Sequence, residues 1–138
     1  MGAWGSGPLE NDAALDLIGE IVEQQFDWDE FDAESREGYL EADTGDRILA
    51  LVELALASLG ARDLPDQVDV DLDLIVPFTT PARIARLLAV APHVLDPAAS
   101  ETAERWADED EAEFAEWRTQ TVQSIDALAD AAARLSRD

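Results

Sequence analysis

Apolar side chains recur at steps of three and four along most of this chain, and that period predicts helices. Ala14, Leu15, Ile18, Ile21, Val22 and Phe26 share one face, with Asp16, Glu20 and Glu23 on the other. A helix over about 12–25 is therefore expected, capped by Asn11 or Asp12. From Ile48 to Leu59 the apolar positions cover most of a helix circumference, interrupted by Glu53 and Ser58. A helix apolar nearly all round belongs in the middle of a bundle, and Gly60 is its expected C-cap. Thr80-Pro81 opens a helix through Ile84, Leu87, Leu88 and Ala91, which Pro92 is expected to end or kink. Asp96-Pro97 repeats the cap-plus-proline device and is read as the start of a helix towards Trp106. Phe114, Trp117, Thr121, Ile125, Leu128, Ala132 and Leu135 place the last helix at about 111–135.

The stretches between are less regular. Residues 1–9 hold Gly2, Gly5 and Gly7 around Trp4, an aromatic expected to tuck in and close one end of the domain while the glycines let the chain turn. Residues 27–46 form an acidic, aromatic-bearing connection, part of it a short helix, with Asp43-Thr44-Gly45-Asp46 read as a turn and cap. Residues 68–76 alternate apolar and acidic side chains, the strand period, yet no partner strand is in evidence, so this stretch is expected to be extended or irregular. The expected fold is a single all-α domain over 1–138: a compact bundle of about five helices, with helix 47–59 central and helices 12–25, 81–91 and 111–135 around it.

Composition adds one strong feature. Thirty-two acidic residues against nine basic ones give a formal charge of −23, and all nine basic residues are Arg. Residues 1–46 carry 14 acids and one Arg; residues 47–138 carry 18 acids and eight Arg, so the excess is spread along the chain. Such a field repels nucleic acid and anionic membranes and speeds encounter with a basic partner. Solubility or a high-salt habitat would equally favour it. With no Cys there is no disulfide or zinc–thiolate site. No run of about 20 apolar residues suggests a membrane span, and no export signal is read at the start, so a cytoplasmic location is expected.

No catalytic or metal signature emerges, and none is assigned. His93 is the one histidine, with no serine elbow to serve. Asp69, Asp71 and Asp73 imitate the start of a calcium loop, but Leu74 replaces its glycine and Thr80 its closing glutamate. Arg83, Arg86 and Arg105 are read as ion-pair partners for the many acids rather than a basic patch. Trp106 and Trp117 fall on apolar helical positions and are expected in the core. Trp28 and Phe31 either pack beneath the connection, the favoured reading, or, with Asp27, Asp29, Asp32 and Tyr39, form an acidic, aromatic hot spot for a basic protein.

The opening Met-Gly-x-Trp-Gly-x-Gly, then Asn11-Asp12-x-Ala14-Leu15-Asp16, resembles a bacterial family known only as a domain of unknown function, whose members begin MGxWGxGxFxNDxAxD. Trp4, Gly5, Gly7, Asn11 and Asp12 carry the match as structural residues. Leu9 stands where the family usually has an aromatic, a departure that argues for a packing role there. Tyr39-Leu40-Glu41-Ala42, Ser100-Glu101 leading to Trp106, Trp117 and Arg134-Leu135 extend the likeness over most of the chain. It implies a compact helical protein and supplies no catalytic residues. By analogy with small acidic immunity proteins, the expected function is non-enzymatic: an immunity- or inhibitor-like protein neutralising a basic partner, without a cofactor. A nucleic-acid mimic and a carboxylate-dependent enzyme are the alternatives.

Overall fold

The computed structural model describes Leu9, residues 11–64, Val68 and residues 70–137. Trp4, Gly5 and Gly7, and the end they are expected to close, lie outside the described residues. Among the described residues six α-helices are present: α1 (Asp12–Val22), α2 (Trp28–Ser35), α3 (Ala42–Ser58), α4 (Pro81–Val94), α5 (Glu101–Glu109) and α6 (Glu111–Arg137). The expected all-α bundle is found. α3 is its axis: Ile48, Leu51, Leu54 and Leu56 are fully buried, and α1, α2, α4, α5 and α6 all pack on it. No single helix among the described residues is long and apolar enough to cross a membrane.

Local chemistry explains most boundaries. Asn11 Oδ1 accepts from the Ala14 N–H at 2.8 Å, the expected cap of α1. Leu9 is buried, in keeping with a packing role. α1 stops at Val22, short of 25, because Gln24 turns left-handed at φ 60°. The Gln24 and Gln25 N–H groups then donate back to the Ile21 and Glu20 carbonyls. Gly60 does the same at φ 77° for α3, with Ala61 N–H donating to the Leu56 carbonyl at 2.9 Å.

Four local expectations are corrected. Asp43-Thr44-Gly45-Asp46 is the first turn and a half of α3, not a turn before it, because the start of α3 is held from outside by α5. Pro92, expected to end or kink α4, does not end it: the helix runs on to Val94. The proline stands in the last turn, where proline forfeits one backbone bond, while buried Val94 and Leu95 anchor the helix end. Asp96-Pro97 starts no helix: Asp96 Oδ1 accepts from the Ala98 N–H at 2.9 Å in a tight turn, and α5 begins four residues later behind the Ser100 cap. In the 68–76 stretch, Asp71 Oδ1 accepts from the Asp73 N–H at 2.9 Å, and this local bond folds the chain into two 3₁₀ turns, Leu72–Leu74 and Val76–Phe78. Ile75 between them is fully buried.

Candidate partner-binding surface

The residues singled out in the 26–39 segment divide between core, caps and surface. Phe31 is 4% exposed and belongs to the core, so it is no surface anchor. Its ring meets Phe26 at 5.8 Å and Trp28 at 5.2 Å, and Phe26 meets Phe78 edge-on at 5.1 Å. The favoured packing reading is therefore correct for Phe31. Trp28 and Phe78 sit half-buried at the margin of this cluster, with rings stacked at 6.3 Å and 16°. The Arg83 guanidinium lies over both, 5.0 Å from the Trp28 centroid and 5.6 Å from that of Phe78.

The acids of this segment have unequal freedom. Asp27 caps α2, accepting from the Asp29 and Glu30 N–H groups at 2.9 and 3.2 Å. Asp29 and Glu30 are exposed. Asp32 is engaged: Arg86 Nε donates to it at 2.6 Å and Arg36 Nε at 3.0 Å. Burial works to raise its pKa, but the two arginines outweigh burial and hold the carboxyl below the usual range. Asp32 is thus unavailable to a partner unless Arg86 is displaced.

Tyr39 is 43% exposed and faces α5, where its hydroxyl donates to Glu104 Oε2 at 2.7 Å. That bond, with burial and the charge of Glu104 behind it, pushes the phenol up to about 12. Tyr39 opens a long-range clip. Leu40 N–H donates to the Ala99 carbonyl and Glu101 N–H to the Leu40 carbonyl, both at 2.8 Å, in an isolated parallel bridge between Leu40 and Ser100. Glu101 Oε1 accepts from the Ala42 N–H at 2.8 Å, and Thr102 Oγ1 donates to the Ala42 carbonyl at 3.2 Å. Trp106 and Trp117 then stack at 5.9 Å and 15°, tying α5 to α6, with Trp117 buried as expected.

The described arginine side chains are engaged internally. Arg36, Arg47, Arg62, Arg86 and Arg105 pair with Asp32, Glu20, Asp43, Glu53 and Glu101. Arg118 and Arg134 donate to the Leu95 and Asp130 carbonyls at 3.3 and 3.4 Å. No basic patch forms from Arg83, Arg86 and Arg105, because two of them are ion-paired and the third is stacked on rings. Opposite them stands an exposed acidic corner where α5 meets α6: Glu104, Asp108, Glu109, Asp110, Glu111 and Glu113. Asp110 caps α6, accepting from the Ala112 N–H at 2.7 Å. Asp108 and Glu109 lie between the C-terminal end of α5, where the helix dipole disfavours negative charge, and the N-terminus of α6, where it favours it.

One polar site went unnoticed in the sequence. Glu53, 7% exposed on the central helix, meets Arg62, whose Nη1 also donates to Ser124 Oγ at 2.8 Å. The three line a cavity of about 230 Å³ floored by Leu49, Val52 and Ile125. The signal was there: Glu53 is the charge that breaks the Ile48–Leu59 apolar run. His93 is exposed, and among the described residues no three His, Cys, Asp or Glu side chains stand close enough to share a metal ion.

A helical bundle of this kind, with a Tyr39–Ala42 segment clipped to Ser100–Thr102, defines an acidic all-α domain. Residues 2–120 match the family described as "Domain of unknown function (DUF4259)", and the chain belongs to that family. No curated protein and no solved structure matches it.

Proposed function

We propose that this protein is a non-enzymatic binding module whose acidic surface neutralises a basic protein partner. The observation that carries the reading is the mismatch in use of charge. The described arginine side chains are all engaged within the fold, while exposed Asp29 and Glu30 on α2 and Asp108, Glu109, Glu111 and Glu113 at the α5–α6 corner face solvent without a side-chain partner among the described residues. Carboxylates without internal partners are the groups a cationic surface pairs with, and a summed charge of −23 accelerates that encounter.

The test is a titration against basic proteins over a range of salt. The reading expects sub-micromolar affinity for at least one of them that survives about 0.15 M salt. Millimolar affinity for all of them, vanishing at moderate salt, would remove the basis of the proposal.

A further inference from the structure

We infer that the stacked Trp28–Phe78 pair is a seat for a guanidinium, filled in the free protein by Arg83 and offered to an arginine of the basic partner. The inference rests on the binding-module reading and gives it a contact point.

Trp28 and Phe78 are half-buried, and the residues leading into Phe78, Val76 and Pro77, are exposed. The surface is therefore apolar and open, and it already holds a cation at cation–π distance from both rings. In a chain with so many acids, Arg83 makes no ion pair among the described residues; its other bond is Nη1 to the Pro77 carbonyl at 2.8 Å. Arg83 is also poorly placed in its own helix. It is the third residue of α4, in the first turn, where the helix dipole disfavours positive charge. The exposed Asp29 and Glu30 follow Trp28 directly in the first turn of α2, and their charge draws a cation towards this side of the protein. A planar guanidinium stacks on these rings as a lysine ammonium does not, so arginine is the preferred guest.

Calorimetric titration with acetylated hexa-arginine and hexa-lysine, at about 0.15 M salt, separates the possibilities. Arg83→Ala empties the seat without touching the core, and it is expected to bind hexa-arginine about two- to fivefold tighter than wild type. Hexa-lysine should show little change. Trp28→Leu, with folding checked by circular dichroism, is expected to bring hexa-arginine down to the hexa-lysine level. Unchanged or weaker hexa-arginine binding by Arg83→Ala overturns the seat, and this variant decides even if Trp28→Leu does not fold. If both peptides bind wild type and Arg83→Ala alike, the acidic binding reading survives and the seat is wrong. If neither peptide binds wild type, both fail.

Discussion

Glu101 caps a helix other than its own: its Oε1 accepts from the Ala42 N–H at 2.8 Å across 59 residues of sequence. α3 needs this help, because Glu41 at its N-cap makes no side-chain cap bond. Glu101→Ala is expected to destabilise the fold by about 1 kcal/mol, the usual worth of a cap. Hydrogen exchange should quicken at the first turn of α3 before it does elsewhere. A melting temperature and exchange pattern equal to wild type would mean the clip is held by its backbone bonds alone.

Gly45 leaves room for the neighbouring helix. A Cβ there would meet Thr102 Oγ1 at 2.6 Å and both Thr102 Cβ and Val94 Cγ1 at 3.3 Å. Thr102 is buried and hydrogen-bonded to the Ala42 carbonyl, so it is not free to retreat. Alanine gains about 1 kcal/mol of helix propensity over glycine, and overpacking costs about 1–3 kcal/mol. Gly45→Ala should therefore be net destabilising in a thermal melt. Combining it with Thr102→Ala removes the clash, so the double variant should be more stable than the two single changes sum to. Simple additivity would show that α5 shifts to make room.

Asp46 lies in the same seam. Burial pushes its carboxyl up to about 6, against the Thr102 hydroxyl, which lowers it; Asp43 adds to the rise and Arg105 opposes it. In the unfolded chain it titrates near about 4. Between those values the native state holds a proton that the unfolded state has lost. Its contribution is thus fully present below about pH 4 and is lost as pH rises through about 6. Asp46→Asn imitates the protonated form. It should raise stability at pH 7.5 by roughly 1–2 kcal/mol, with the gap closing towards pH 4. An equal gap at both pH values would assign the effect to something other than this proton.

Glu53 on the central helix pairs with Arg62 from the segment that follows it, with Ser124 against them. Removing Arg62 leaves a buried carboxylate without its cation, whereas removing both charges leaves a mostly apolar cavity wall. Arg62→Met is expected to cost more, by about 1–3 kcal/mol, than the double change Arg62→Met with Glu53→Leu. Chemical denaturation measures both. If the double variant is the less stable one, the pair contributes net stability rather than a buried liability.

The helices were legible because their apolar faces are periodic: Ala14, Ile18 and Ile21 mark α1 and Ile84, Leu87 and Ala91 mark α4, and all are buried, whereas Leu15 and Val22, read onto the same α1 face, lie at its edge and are exposed. Errors fell where a distant contact outweighed a local cue. Asp43–Asp46 resembles a turn in isolation, but Glu101 starts the helix ahead of it. Asp96-Pro97 has a cap's composition, while the bridge to Leu40 holds Ser100 extended and makes that residue the cap instead. The segments Tyr39–Ala42 and Ser100–Glu101, both part of the family resemblance, meet in the clip. Periodicity reports which face is buried and is silent on which segments pair. The aromatic cluster was half legible for the same reason: Trp28 reaches the surface, Phe31 enters the core, and Phe78, 50 residues on, completes the cluster.

The central claim is that the acidic surface recognises a basic protein. Its most direct test is a pull-down from lysate of the source organism at about 0.15 M salt, with retained proteins identified by mass spectrometry. Wild type is compared with a variant carrying Asp108→Asn, Glu109→Gln, Glu111→Gln and Glu113→Gln, all exposed positions. One basic protein retained stoichiometrically by wild type and lost by the variant is the predicted result. Nothing retained, or the same salt-sensitive mixture of basic proteins on both, would contradict the claim and leave the charge as a solubility feature.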